Sequence, residues 1–185
     1  RDWSSDVCSS DLIDAKTCIY KNSNGILVLN KDNEITSKLT STREIRYFSR
    51  YQKTNYFYVS DNNIYYKDKL IINTKDLHIR GVHNYENVCA CLSAIIDLID
   101  LDKSIEVIKK FSGVEHRIEY VRTFNGVKWY NDSVSSSPTR TIAGLNSFTE
   151  PIVLIAGGYD KNLDYTPLAK PILEHVKQLI LFGST

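Results

Sequence analysis

The stretch PIVLIAGGYDKNLDYTPLAKPILEHVKQLILF, residues 151–182, decides the fold class. Pro151–Ala156 is a continuous apolar run followed at once by Gly157-Gly158, the pattern of a parallel strand buried on both faces. Thr166-Pro167 opens a helix with Leu168, Ile172 and Val176 as its inner stripe, and Gln178–Phe182 is a second strand. Together they make a β-α-β unit, whose crossover should be right-handed. Ligands in such sheets sit beyond the carboxyl ends of the strands, which puts Gly157 to Lys161 at a binding edge.

Working backward, Pro138 sits at a first helical position with Ser137 as its cap, and Ile142, Leu145 and Phe148 line one face. Before that, Asn125-Gly126 separates the alternating runs Arg117–Phe124 and Val127–Tyr130. Both positions of such a turn need positive φ, so this is a hairpin. Val88, Leu92, Ile95 and Ile99 are spaced as one helical face, with Asn84 as the expected N-cap. A shorter helix follows, capped by Ser104, with Ile105, Ile108 and Phe111 facing inward and Gly113 ending it. A domain boundary is placed there. From Ile13 to Ile79 the chain reads as strands and turns: Ala15–Tyr20 and Gly25–Leu29 as a hairpin about Asn22-Ser23-Asn24, then a meander of Tyr56–Ser60, Ile64–Lys67 and Leu70–Asn73.

The 185 residues are 42% hydrophobic and 24% charged, a globular balance. A net charge of +1 argues against nucleic acid or a membrane surface as partner. No apolar run approaches the ~18 residues of a membrane span. Cys89 and Cys91, two apart on a helix, point to different faces and do not make a metal clip. The four cysteines fit a reduced, cytoplasmic setting. Residues 1–12, RDWSSDVCSSDL, resemble a translated sequencing adapter and are set aside from fold reasoning, a disordered terminus being the alternative. With no methionine in the chain, an incomplete protein is expected.

Four polar patches can carry chemistry. Asn84 and Asn87 share a helix face and could read the donor and acceptor edge of adenine, although capping by Asn84 and solvation of Asn87 explain them too. Glu115-His116-Arg117 offers a ring to stack on a purine and a guanidinium for phosphate, or a surface ion cluster. Asn131-Asp132-Ser133, followed by Ser135-Ser136-Ser137, offers a carboxylate for a ribose diol, or a turn and a cap. Gly157-Gly158-Tyr159-Asp160-Lys161 offers a close backbone approach and a cation, or a plain turn. No P-loop pattern occurs anywhere in the chain.

In this order and spacing the four patches resemble the Mur ligases, most of all the D-glutamate-adding type, with Ser135–Leu145 similar to members from low-GC Gram-positive bacteria. The resemblance implies an α/β chain. Residues 13–113 would be the C-terminal part of a central ATP-binding domain, and 114–185 the N-terminal part of a Rossmann-like, amino-acid-binding C-terminal domain. It implies ATP contacts at Asn84, Asn87, His116, Arg117 and Asp132, and D-glutamate contacts at Ser136 and Lys161, with no metal ligand in this stretch and catalytic residues unassigned.

The implied reaction is peptidoglycan precursor synthesis, with ATP and Mg²⁺ joining D-glutamate to UDP-N-acetylmuramoyl-L-alanine through an acyl phosphate, in a cytoplasmic protein monomeric at full length. Without the P-loop the chain alone should be inactive. One departure is Val134, where many members carry lysine. The alternatives are another ligase of the Mur or folylpolyglutamate synthase type, or a nucleotide-binding remnant without catalysis.

Overall fold

The computed structural model describes residues 9–21, 24–159 and 161–183. The chain forms two compact units. One comprises the chain up to Ile71 with Cys89–Ile99, the other Ile72–Val88 with the chain from Asp100 on.

The first unit opens with helix α1, Ser9–Lys21, where the sequence suggested a strand at 15–20. Ile13, Thr17 and Tyr20 are spaced as one helical face, and the Thr17 hydroxyl donates to the Asp14 carbonyl at 2.8 Å. That period outweighs the β-propensity of Thr-Cys-Ile-Tyr. Arg43 Nη1 donates to the Tyr20 carbonyl at 2.6 Å, satisfying an acceptor that the helix end leaves open. Residues 9–12, expected to be foreign, form the first turn of α1, and 1–8 lie outside the described residues.

The expected hairpin is therefore absent. Strand β1 (Leu27–Asn30) instead pairs in parallel with β2 (Ile45–Phe48). Its expected turn at Asn22 and Ser23 lies outside the described residues. The meander is present as β3 (Phe57–Ser60), β4 (Asn63–Tyr66) and β5 (Lys69–Asn73), in that spatial order. Its two turns place Asp61-Asn62 and Lys67-Asp68 at positive φ, the conformation a two-residue hairpin demands. Phe57 and Ile64 are fully buried, and Phe57 stacks on Tyr66 at 4.6 Å between ring centres. The Arg46 guanidinium is also buried. Its Nε donates to Glu44 at 2.9 Å, Nη1 to the Ser93 carbonyl at 3.1 Å, and Nη2 to Asp97.

Helix α2, Val82–Ile95, begins in the second unit and ends in the first. It starts two residues earlier than expected. Gly81, at φ +90°, turns the chain, and the Asn84 amide donates to the Gly81 carbonyl at 2.9 Å, so Asn84 lies inside the first turn instead of capping it. Ile99 falls beyond the helix end. Cys89 is buried and Cys91 exposed, on different faces as expected.

Helix α3, Leu101–Lys110, is capped by Asp100, whose carboxylate accepts from the Lys103 amide at 3.2 Å. Ser104 instead donates back to the Asp100 carbonyl from inside the helix. Phe111 lies past the helix end and is exposed, not inward.

Strands β6 (Glu119–Phe124) and β7 (Val127–Asn131) form the hairpin, with Asn125 at φ 49° and Gly126 at φ 77°. β6 starts two residues later than read, because His116 and Ile118 adopt left-handed φ of 64° and 46° and keep that segment out of the ladder. Helix α4, Pro138–Leu145, has proline in its first turn after an extended Ser137, whose side chain makes no capping bond.

Strand β8 (Ile152–Gly158), a short 3-10 turn at Thr166–Leu168, helix α5 (Ala169–His175) and strand β9 (Val176–Gly183) complete the β-α-β unit, with β8 and β9 parallel. Val176 belongs to β9, not to the helix stripe. β8 is not buried on both faces as expected. Its residues alternate between half-buried and exposed, because among the described residues it has one partner strand and cover on one face.

Candidate functional site

The second unit gathers the polar patches around one loop. At the entrance of α2, Asn84 Nδ2 donates to the Arg80 carbonyl at 2.5 Å, and Asn84 Oδ1 lies 3.5 Å from Asn87 Nδ2. The two carboxamides share a face, and the bond to Arg80 fixes which way the Asn84 amide points. Arg80 itself is held from three sides. Its guanidinium lies 5.5 Å from the centre of Tyr130, 5.3 Å from that of Phe148, and 3.3 Å from the Glu150 carboxylate. The Glu150 backbone amide, and then Arg80, hold the Glu150 carboxyl below the usual carboxylate range.

Arg80, Asn84, Arg117, Tyr120 and Tyr130 line a cleft of about 320 Å³. A second cleft, of about 250 Å³, is lined by His83, Arg117, Asp132, Val134, Thr139, Arg140 and Gly144. Arg117 therefore walls both. It stands between two left-handed residues, and a β-branched residue such as Ile118 rarely takes that conformation. The loop is pinned there. The Ile118 amide donates to Asp132 Oδ1 at 3.1 Å, the Val134 amide to the His116 carbonyl at 3.2 Å, and the His116 amide to Glu119 Oε2 at 2.8 Å. Backbone strain is thus offset by three bonds, and it turns Arg117 out toward both clefts.

Asp132 is positioned from the other side by α4. A Cβ on Gly144 would lie 2.9 Å from Asp132 Oδ2, so any larger residue there would push this carboxylate aside. The His116 ring lies beside Asn131, whose Nδ2 is 2.9 Å from Nδ1. Asn87, His116, Ser136 and Lys161 line neither cleft. Ser136 is exposed, and its amide donates to the Val134 carbonyl at 2.8 Å. Lys161 is exposed in the loop after β8, past the carboxyl end of that strand, and Asp160 lies outside the described residues.

Of the seven expected site residues, the structure thus draws Asn84, Arg117 and Asp132 around the two clefts. Sequence reasoning missed Arg80 and Arg140. Nothing local marks Arg80, because its partners lie 50 or more residues away. Arg140 sits in the quoted Ser-Ser-Ser-Pro-Thr-Arg run and could have been found by its place in the first turn of α4.

Among the described residues no three His, Cys, Asp or Glu side chains gather to hold a metal. Mg²⁺ commonly takes only one or two protein carboxylates together with phosphate oxygens and water. No helix among the described residues is long and apolar enough to cross a membrane.

No family model matches the chain. Curated relatives do. The UDP-N-acetylmuramoylalanine–D-glutamate ligase of Clostridium beijerinckii is 45% identical over 184 residues, covering 95% of this chain and 39% of that protein. The enzyme of the same name from Clostridium botulinum strain 657 is 43% identical over 169 residues, covering 90% and 37%. This chain thus spans a little over a third of the length of the curated relatives it matches. Among solved structures, the UDP-N-acetylmuramoylalanyl-D-glutamyl-2,6-diaminopimelate–D-alanyl-D-alanyl ligase of Acinetobacter baumannii aligns with a TM-score of 0.73 at 14% identity, over 95% of this chain and 43% of that one. The UDP-N-acetylmuramate–alanine ligase of Thermotoga maritima aligns with a TM-score of 0.68 at 17% identity, over 94% and 41%. At these identities the structural likeness speaks for the fold.

Proposed function

Since the chain belongs to the Mur ligase family, we propose that the protein carrying it is an ATP-dependent ligase that adds D-glutamate to UDP-N-acetylmuramoyl-L-alanine in the cytoplasm, and that this chain holds most of the nucleotide. The observation that carries the reading is Arg117 standing as the shared wall between a cleft with Asn84 and a cleft with Asp132. Amides for a base, a carboxylate for a diol and a guanidinium for phosphate then line two clefts that share one wall, which are the three kinds of group a nucleotide requires.

In this reading Asn84 and Asn87 meet the adenine edge, with His116 near the base. Asp132 accepts from the ribose hydroxyls, and Arg117 neutralises phosphate oxygens. Ser136 and Lys161 bind D-glutamate. Residues 13–113 belong to a central ATP-binding domain and 114–185 to the C-terminal domain.

The alanine carboxylate attacks the terminal phosphorus of ATP, and ADP leaves. The D-glutamate amine then attacks the acyl phosphate carbonyl, and the tetrahedral intermediate expels phosphate as the amide forms. What these side chains supply is alignment and charge neutralisation, the two contributions phosphoryl transfer needs most. Mg²⁺ would add charge at the phosphates, and the P-loop would lie outside this chain.

Phosphate release by the full-length protein tests the proposal. Release is expected only when ATP, UDP-N-acetylmuramoyl-L-alanine and D-glutamate are all present. Turnover with another amino acid in place of D-glutamate would replace the substrate assignment, and absence of nucleotide binding would end the reading altogether. Asp132→Ala should weaken ATP binding by about tenfold to a hundredfold, as for a lost hydrogen bond to a charged group.

A further inference from the structure

We propose that Arg140, in the first turn of α4, is a second phosphate-gripping residue that acts with Arg117 on the polyphosphate of the bound nucleotide; this rests on the nucleotide reading of the two clefts. The second cleft draws cationic side chains from two separate elements, Arg117 from the loop before β6 and Arg140 from α4. Three other arginines of the chain are held within the fold: Arg46 by Glu44 and Asp97, Arg80 by Glu150, and Arg43 by the Tyr20 carbonyl. Neither Arg117 nor Arg140 has an ion-pair partner among the described residues, and both are exposed.

The single carboxylate lining the cleft is Asp132, and its Oδ1 already accepts from the Ile118 amide. Val134, in the same lining, brings no charge. The cleft therefore holds an excess of positive charge that the protein leaves uncompensated, against a wall carrying the expected ribose contact. Two guanidinium forks on different elements can grip one phosphate group from two directions, which a single arginine cannot do. An oxyanion is the ligand such a site takes. Phosphate is favoured over an amino-acid carboxylate because Arg117, the partner cation, also walls the cleft of Asn84, where the base is placed.

The test is calorimetric binding of ADP and of adenosine to the full-length protein and to its Arg140→Ala and Arg140→Lys variants, each with a thermal melt. ADP binding should weaken about tenfold or more in Arg140→Ala, while adenosine binding stays within twofold. Arg140→Lys should recover part of the loss, since it restores the charge but not the fork. ADP affinity within twofold of wild type in both variants would overturn the proposal while leaving the nucleotide site standing. No ADP binding by the wild-type protein would overturn the site itself, and the role of Arg140 with it. If Arg140→Ala melts early, Arg140→Lys decides, with at least threefold weaker ADP binding expected. A rise in the D-glutamate KM with unchanged ADP affinity would assign Arg140 to a carboxylate and overturn the phosphate role.

Discussion

Phe57 and Phe182 both lie on strands rich in aliphatic and aromatic residues, yet Phe57 is 0% exposed and Phe182 57% exposed. The contrast extends to their surroundings. In β3 and β4, Phe57, Tyr58, Val59 and Ile64 are buried, whereas Val153, Ile155, Ile180 and Leu181 of β8 and β9 are exposed. Composition alone does not separate the two regions. Phe57, Tyr58 and Val59 are consecutive and all buried, so β3 has cover on both faces, while the parallel pair β8 and β9 is apolar throughout and needs cover on both as well. Among the described residues that condition is not met for β8 and β9, and their apolar side chains remain at the surface.

The largest effect should come from testing that contrast directly. Phe57→Ala removes a fully buried ring and should cost about 3–5 kcal/mol in denaturant unfolding. The same change at Phe182 should stay within about 0.5 kcal/mol. Binding of an apolar-surface dye should fall with Phe182→Ala and rise with Phe57→Ala. Equal costs at the two positions would mean that β9 is covered in solution.

The sequence made some of this legible and not the rest. Asn125-Gly126 announces its hairpin because few residues other than glycine and asparagine accept positive φ. The turn at Lys67-Asp68 has the same backbone without that signature and was legible only from the strands around it. Helix α1 is masked in the sequence because Thr17-Cys18-Ile19-Tyr20 favours strands, although Ile13, Thr17 and Tyr20 keep a helical period. The parallel pairing of β1 with β2 joins residues 18 apart and leaves no local trace. For the site, the motif order singled out Asn84, Asn87, His116, Arg117, Asp132, Ser136 and Lys161, of which Asn84, Arg117 and Asp132 line the two clefts. The clasp of Tyr130 and Phe148 on Arg80 depends on tertiary packing, which no local pattern encodes.

The charge networks repeat the comparison at smaller scale. Arg46 is buried, with Glu44 and Asp97 half in water. Arg46→Met keeps the bulk but strands the Ser93 carbonyl and ends both ion pairs. Because both carboxylates can rehydrate, the cost should be about 2 kcal/mol, below that of leaving a buried charge unpaired. A loss above that of Phe57→Ala would show that the carboxylates are less hydrated than their exposure implies.

Gly144→Ala separates stability from binding in the second unit. Alanine favours the helix by about 0.5–1 kcal/mol, but its Cβ presses on Asp132 Oδ2. Melting should hold or rise slightly, while nucleotide affinity falls about tenfold as the carboxylate shifts. Unchanged affinity would mean that Asp132 makes no ribose contact.

The smallest expected effect belongs to Glu150, the half-exposed counterpart of the Arg46 network. Its own backbone amide and Arg80 lower its pKa in the folded state. A depressed carboxylate stabilises the fold above its unfolded pKa, and that contribution is lost as the pH falls through the lower, folded value. Wild type should therefore exceed Glu150→Gln by less than about 0.5 kcal/mol near neutrality, since surface pairs contribute little. The gap should close below about pH 4, where the ordinary carboxylate range ends. Salt should shrink it too, because both partners reach water, whereas the Arg46 network should hold against salt. A gap that persists at low pH would trace the role of Glu150 to shape rather than charge, and the Tyr130–Phe148 clasp would then hold Arg80 by itself.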